Sequence, residues 1–181
     1  MNLNTEGGSL VAVGVNALYS NTTGQRNVAI GSNALYANTA NDNLAIGASA
    51  LAANTSGTEN VAIGLYSMDA NTTGIKNVGI GKYSLSSVVS GSRNTAVVDQ
   101  ALNSNTADNN VAVGTNALKV NTSGTSNVAV GTYALDSNTT ANNNTAIGHN
   151  SLVTNQTGAT NTAVGVQTLQ ACTGADNTVV G

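Results

Sequence analysis

The sequence contains no Phe, Trp or Pro, a single Cys and few charged residues. Five Tyr are the only aromatic residues, so rings cannot fill the core of an ordinary 181-residue domain. The single Cys172 excludes an intrachain disulfide framework. Charged residues make up 7% of the chain, with 5 Lys and Arg against 8 Asp and Glu, which leaves no basic patch for nucleic acid. No apolar run approaches the roughly 20 residues of a membrane span. We therefore expect no nucleic acid partner and no membrane span.

The sequence has instead an internal repeat that covers residues 1–181, which we interpret as one repeat domain. Each V-A-I/V unit is followed by an anchor residue, and successive anchors are separated by sixteen or seventeen positions: Gly14, Gly31, Gly47, Gly64, Gly81, Val98, Gly114, Gly131, Gly148, Gly165 and Gly181. The shortened segments begin at Asn38, Asn105 and Cys172, at equal intervals of sixty-seven positions. This super-repeat indicates that a block of four coils has been duplicated.

The unit Asn27–Gly31 predicts one short strand in each coil, because its side chains alternate between two faces. Val28 and Ile30 form the more apolar face, which we expect to point into the core, with the Ile30 position deeper than the Val28 position. The other face carries a row of small residues: Ala12, Ala29, Ala45, Ala62, Gly79, Ala96, Ala112, Ala129, Ala146 and Ala163. Because large residues are excluded from this row, we expect it to pack against a neighbouring chain.

Four residues after each anchor comes a second apolar row, which we expect to close the core from the opposite side: Leu18, Leu35, Leu51, Met68, Leu85, Leu102, Leu118, Leu135, Leu152 and Leu169. The surrounding S-N-A-L pattern favours a single helical turn, with a second short strand as the alternative. The N-T-T-G type segment then turns the chain, and we expect positive φ angles at its glycines: Gly24, Gly57, Gly74 and Gly124.

A single coil cannot bury its own apolar residues, but stacked coils can, since each strand pairs with the strand one coil away. The predicted fold is therefore all-β, a parallel β-solenoid (β-roll) of about ten to eleven coils, each of sixteen or seventeen residues. Asn residues at equivalent positions should then hydrogen-bond along the stack as a ladder: Asn21, Asn38, Asn54, Asn71, Asn105, Asn121, Asn138 and Asn155. The register also places Met1 in the Leu row. The chain should thus stack end to end or belong to a longer fibre.

The repeat resembles two groups of surface proteins. N-V-A-I-G at Asn27 and Asn60 is similar to the strand motif in the heads of trimeric autotransporter adhesins. The longer pattern from Asn144 to Gly158 is similar to repeats in phage tail fibres. The resemblance implies an extracellular, cell-surface or virion fibre that assembles with itself, as a trimer or a filament, and takes part in attachment to a receptor or glycan.

No catalytic, cofactor or metal site is predicted, and the chain is not expected to be an enzyme. His149 has no partner cluster, and the nucleophile that Cys172 could supply would need a nearby base. Asp69, Asp99 and Asp136 lie on different coils, so they form no carboxylate pair for hydrolysis or calcium binding. Exposed Tyr residues favour binding, so the possible surface-binding residues are Tyr36, Tyr66, Tyr83 and Tyr133.

These patterns leave three functions open. The first is a structural segment of a fibre or adhesin, assembled by lateral or end-to-end packing. The second is ice binding by a row of Thr residues on a surface of low charge: Thr22, Thr39, Thr55, Thr72, Thr106, Thr122, Thr139 and Thr173. The third is a tail fibre that binds a receptor or glycan, or degrades a glycan with paired carboxylates, and no such pair is found.

Overall fold

The computed structural model describes residues 4–181 and confirms the parallel β-solenoid. Eleven strands of three residues stack in chain order as one sheet: β1 (Val11–Val13), β2 (Val28–Ile30), β3 (Leu44–Ile46), β4 (Val61–Ile63), β5 (Val78–Ile80), β6 (Thr95–Val97), β7 (Val111–Val113), β8 (Val128–Val130), β9 (Thr145–Ile147), β10 (Thr162–Val164) and β11 (Thr178–Val180). The predicted place of Met1 in the Leu row lies outside the described residues.

The strands pair in the register that the repeat predicts. Val61 of β4 lies beside Val78 of β5, and Ile63 lies beside Ile80. The register is kept across the shorter coils as well, so that Ala45 lies beside Ala29. Equivalent residues therefore form continuous rows along the stack, with the spacing of about 4.8 Å that is typical of paired strands.

The prediction of which strand face points inward is wrong. Ala62 is fully buried, whereas Val61 and Ile63 on either side of it are only half-buried. The Ile position is also not the deeper one, because Ile30 is 37% exposed and Val28 is half-buried. The Ala row is thus the core side of the sheet, and the predicted contact between this row and a neighbouring chain is wrong as well.

From β2 to β10 the interior is too narrow for anything larger than a methyl group on the sheet side, whereas Val179 holds the same place in β11 and is 39% exposed. Gly79 shows this directly, because a Cβ at this position would lie 2.8 Å from Ser67 Oγ and 3.0 Å from Met68 Cγ. The Leu row fills the coil from the opposite side, and its members from Leu18 to Leu152 are fully buried, as predicted. Because the Leu side chains take up the available volume, only a small residue fits opposite them.

The segment that carries the Leu row is neither a helix nor a strand. It is a turn with positive φ at two positions per coil, for example 57° at Asn33 and 50° at Leu35. These alternating signs are incompatible with a helical turn, so that prediction is wrong. The backbone of this segment bonds to the adjacent coil instead: Leu35 N–H donates to Ala50 O at 3.0 Å, and Ala37 N–H donates to Ala52 O at 3.0 Å.

The predicted Asn ladder is present, and we call it the turn Asn row. Asn54 Nδ2 donates to Asn38 Oδ1 at 2.7 Å, and Asn71 Nδ2 donates to Asn54 Oδ1 at 2.8 Å. Val88 interrupts this row in the next coil, and Asn71 Oδ1 is buried without a hydrogen-bond partner among the described residues. The ladder also breaks between Asn138 and Asn155, because Asn138 Oδ1 is likewise buried with no partner among the described residues, so each of the two breaks leaves one unpaired acceptor.

A second ladder, which we call the strand Asn row, lies directly before the strands. It is uninterrupted over ten positions: Asn27, Asn43, Asn60, Asn77, Asn94, Asn110, Asn127, Asn144, Asn161 and Asn177. From Asn43 onward each backbone N–H in the row donates to Oδ1 of the preceding member, for example Asn94 N–H to Asn77 Oδ1 at 2.9 Å. The side-chain Nδ2 of Asn94 donates to Ala107 O at 2.7 Å. The row thus pairs backbone groups that would otherwise be buried without partners.

The anchor glycines, not those of the turns, need the conformational freedom of glycine. Gly31 has φ of 136°, and a Cβ there would lie 2.6 Å from the carbonyl carbon of Gly47. Val98 holds this place in one coil with φ of 89°, an unfavourable backbone for a β-branched residue. The predicted positive φ at Gly24, Gly57, Gly74 and Gly124 is wrong. A side chain at Gly57 would instead collide with Asn54 Oδ1.

Candidate interaction surfaces

The reactive residue types are scattered over the surface. His149 is exposed and meets the ring of Tyr133 edge-on, with centroids 6.4 Å apart. The half-buried Cys172 accepts a weak hydrogen bond from Asn177 Nδ2 at 3.4 Å. Within residues 4–181 no group of three or more His, Cys, Asp or Glu side chains is placed to hold a metal ion.

Asp69 and Asp136 hold equivalent positions, one four-coil block apart. Each has a buried Oδ1 with no hydrogen-bond partner among the described residues. Burial raises the pKa of both carboxyl groups, and Lys119 partly opposes the rise at Asp136. A carboxylate at this position therefore costs stability when it is ionised.

We expect Asp69→Asn to stabilise the fold at neutral pH by at most about 0.5 kcal/mol, because the amide has no charge to desolvate and solvent screens much of this effect at a half-buried position. Because the pKa of Asp69 is raised in the folded state, folding favours the protonated carboxyl. The wild-type fold therefore loses stability as the pH rises through that pKa. The advantage of the amide variant should hence be full at pH 7 and vanish below about pH 4, where the wild-type carboxyl is protonated. Thermal melts of both proteins across this range measure the difference. Asp136→Asn should reproduce it, and a pH-independent difference would contradict the assignment to the carboxyl group.

The outward side of the sheet is a continuous apolar surface, which we call the sheet face. It consists of two rows: Val11, Val28, Leu44, Val61, Val78, Thr95, Val111, Val128, Thr145, Thr162 and Thr178, and Val13, Ile30, Ile46, Ile63, Ile80, Val97, Val113, Val130, Ile147, Val164 and Val180. Every position is Val, Ile, Leu or Thr. In the middle of the stack these residues are half-buried by their neighbours, and several keep more than a third of their surface exposed.

Charged residues lie beside the sheet face rather than on it. Arg26 Nη2 donates to Asp42 Oδ2 at 2.8 Å in the next coil, which lowers the pKa of Asp42, and Lys76 Nζ lies 3.9 Å from Glu59 Oε2. All four residues directly precede a member of the strand Asn row. The sheet face is thus an uncharged strip with exposed ion pairs along one border.

Six of the eight residues of the Thr row, those from Thr39 to Thr139, donate their hydroxyl protons within the stack. Thr39 Oγ1 donates to Thr55 O at 2.9 Å, and Thr106 Oγ1 donates to Thr122 O at 2.8 Å. Each of these Thr residues therefore joins its coil to the next. This bond accounts for the regular recurrence of Thr at this position without a ligand.

The predicted Tyr residues fall into two rows instead of one surface. Tyr36 stacks on Tyr19 with ring centroids 5.1 Å apart and planes 4° apart. In the other row Tyr66 stacks on Tyr83 at 5.5 Å, with Lys82 Nζ 5.0 Å from the centroid of Tyr83. The third member of that row, Tyr133, is exposed and meets His149.

An open depression of about 380 Å³ lies beside Tyr36. Its lining consists of Asn16, Asn33, Tyr36, Ser49 and Ala52, none of which is charged. Tyr36 is predicted from the sequence, but the depression beside it is not. The sequence indicates the depression only through Ala52, a small residue that follows Tyr19 and Tyr36 in the same row.

Comparison of the chain with protein families, with curated proteins and with solved structures finds no match. Among the described residues there is no helix with the length and apolarity needed to cross a lipid bilayer.

Proposed function

We propose that the chain is a structural repeat segment of an extracellular or virion fibre or adhesin, in which copies pack side by side through their sheet faces. The observation that carries the proposal is the absence of any charged residue from the two outward rows of the eleven described strands. Parallel sheets are normally covered on both faces, whereas a sheet with one face in water carries polar residues on that face. Here the inward row is already occupied by Ala, so the large apolar residues on the outside are left without a packing partner.

The size of the sheet face fits a second copy of the chain. Eleven strands at about 4.8 Å extend over roughly 50 Å, and the three residues of each strand extend over roughly 10 Å. The resulting footprint is roughly 500 Å². Two such faces in contact would bury about 1,000 Å² in total, which reaches the lower bound for a specific protein interface.

The resemblance to adhesin heads and tail fibres supports an extracellular or virion setting for such an assembly. Ice binding stays an alternative prediction, although the Thr row that motivated it is engaged in bonds between coils. A thermal hysteresis assay on the same sample decides that alternative.

The test is a double substitution of outward residues in adjacent coils, Val113→Lys with Val130→Lys. Two buried and unpaired ammonium groups would cost several kcal/mol at a packed interface, so we expect at least about 100-fold weaker association. Sedimentation velocity over a concentration series measures it. The wild-type chain should sediment as an oligomer at concentrations at which the variant is a monomer.

The matched control is Ser123→Lys with Thr140→Lys, which adds the same charge to exposed positions away from the sheet face in nearby coils. It should associate like the wild type. A wild-type chain that stays monomeric at all concentrations would contradict the proposal, as would a sheet-face variant that assembles normally.

A further inference from the structure

One face of the Tyr36 ring is open, and the arrangement of its row explains why. Tyr19, Tyr36, Ala52 and Asp69 follow one another in consecutive coils. The bonds from Ser20 N–H to Tyr36 O, from Ala37 N–H to Ala52 O and from Ala53 N–H to Asp69 O show this order. Tyr19 covers one side of the Tyr36 ring. On the other side Ala52 offers only a methyl group, so the stack of rings ends there and the depression begins.

Polar groups surround the open ring. Asn16 Nδ2 donates to Asn33 Oδ1 at 3.2 Å, which orients both amides. Asn33 Nδ2 and Ser49 Oγ make no hydrogen bond within residues 4–181 and border the same depression. The site thus combines one aromatic face with amide and hydroxyl groups at its side, and its lining has no charged residue.

We propose that this depression binds a neutral hexopyranose ring. The sugar stacks on the open face of Tyr36 and occupies the space beside Ala52. The electron-rich face of an aromatic ring attracts the weakly positive C–H groups on the apolar face of a sugar. The sugar hydroxyls at the ring edge are then placed to bond with Asn33 Nδ2, Asn16 Oδ1 and Ser49 Oγ. An anionic or cationic ligand would find no counter-charge in the lining, and a purely aromatic ligand would leave these polar groups unpaired.

This inference goes beyond the proposed assembly and does not depend on it. Tyr36 and Ala52 lie on the turn side of the coil, in the row that follows the Leu row, whereas the sheet face is formed by the strands. A chain that binds sugar without assembling would support the inference alone. A chain that assembles without binding sugar would support only the proposed function.

The test is titration of the ring protons of Tyr36 by NMR with methyl glycosides of glucose, galactose and mannose. A single ring on an open site should bind with Kd on the order of millimolar. We expect a saturable shift of the Tyr36 resonances with at least one of these glycosides. A neutral trisaccharide of the same sugar is titrated in parallel, and tighter binding of the trisaccharide identifies a glycan chain, not a free sugar, as the natural source.

Three variants locate the site. Tyr36→Ala removes the reporting ring, so its binding is followed through the proton signals of the glycoside, and it should be weakened at least tenfold. Ala52→Leu should abolish binding by covering the ring. We expect both variants to fold, because Ala52 and Val153 show that the same position accepts Ala or a branched aliphatic residue in other coils. Tyr83→Ala, in the other ring pair, should leave the Kd unchanged.

A methyl glucuronide and phenol serve as the charged and aromatic comparison ligands. Preferential binding of either one over the neutral glycosides would overturn the assigned ligand class. The proposal would also fail if no neutral glycoside gave a saturable shift, or if folded Ala52→Leu bound as well as the wild type.

Discussion

Ala62→Asp is expected to unfold the middle of the solenoid, whereas Ile63→Asp in the next position should leave the fold intact. Ala62 is fully buried against the opposite side of the coil, and the space there is so narrow that a larger side chain cannot turn away. An unpaired carboxylate at this position should cost on the order of 3–5 kcal/mol. Ile63 is half-buried on the outer side, where a carboxylate remains hydrated, so we expect a loss of about 1 kcal/mol.

Circular dichroism melts of both variants and the wild type measure this contrast. They are compared at low protein concentration, so that association through the sheet face does not add to the stability of the wild type. Ala112→Leu and Val113→Leu repeat the comparison without charge, and only the first should be destabilised, by overpacking. A larger loss for Ile63→Asp than for Ala62→Asp would mean that the Val and Ile rows face the core after all.

Asn94→Leu is expected to destabilise the chain by about 2–3 kcal/mol, because it removes the only acceptor of a buried backbone N–H. Asn94 Oδ1 accepts from Asn110 N–H at 2.9 Å, and Asn94 Nδ2 donates to Ala107 O at 2.7 Å. Leu has nearly the same shape but neither polar atom. The N–H of the buried Asn110 would then have no partner. Chemical denaturation followed by circular dichroism gives the loss.

Asn103→Leu is the matched control, since Asn103 is half-buried in the row of Tyr36 and Val153 occupies an equivalent place. Its Nδ2 donates to Tyr83 O at 3.2 Å, and water can replace this bond at the surface. We expect a change of at most about 0.5 kcal/mol. Equal losses for the two variants would show that the strand Asn row contributes no more than a surface amide.

Most of the fold can be predicted from the period of the repeat. Once anchors recur every sixteen or seventeen positions, equivalent residues must lie one coil apart, and the register of the strands and the turn Asn row follow from that spacing. The strand Asn row was visible in the same way, as an Asn before every strand from β2 to β11, but its role requires knowing that the backbone around it is buried.

Hydrophobicity alone does not predict which face of each strand points into the core. Val61, Ala62 and Ile63 are all apolar, so alternation defines two faces without saying which one is inside. The outcome is decided across the coil, where Met68 and its equivalents already fill the interior. The backbone of the Leu segment was equally hidden, because a Leu with φ near 50° is unfavourable by itself and is held only by bonds to the adjacent coil.

The candidate surfaces, too, are predicted only in part from the sequence. The sequence identifies Tyr36 as an exposed aromatic residue, but the depression beside it is formed by two rows on three successive coils. Asn16, Asn33 and Ser49 form one of these rows, and Tyr36 and Ala52 belong to the other. Their separation across the surface depends on the turn geometry that the sequence did not reveal.

The strand Asn row also makes the two ends of the solenoid chemically different. From Asn43 to Asn177 every backbone N–H of the row donates to Oδ1 of the preceding coil, and no bond of the series is reversed. In this series the acceptor always belongs to the earlier coil and the donor to the later one. Copies aligned head to tail would continue the series, whereas contact between two later ends would set acceptor against acceptor.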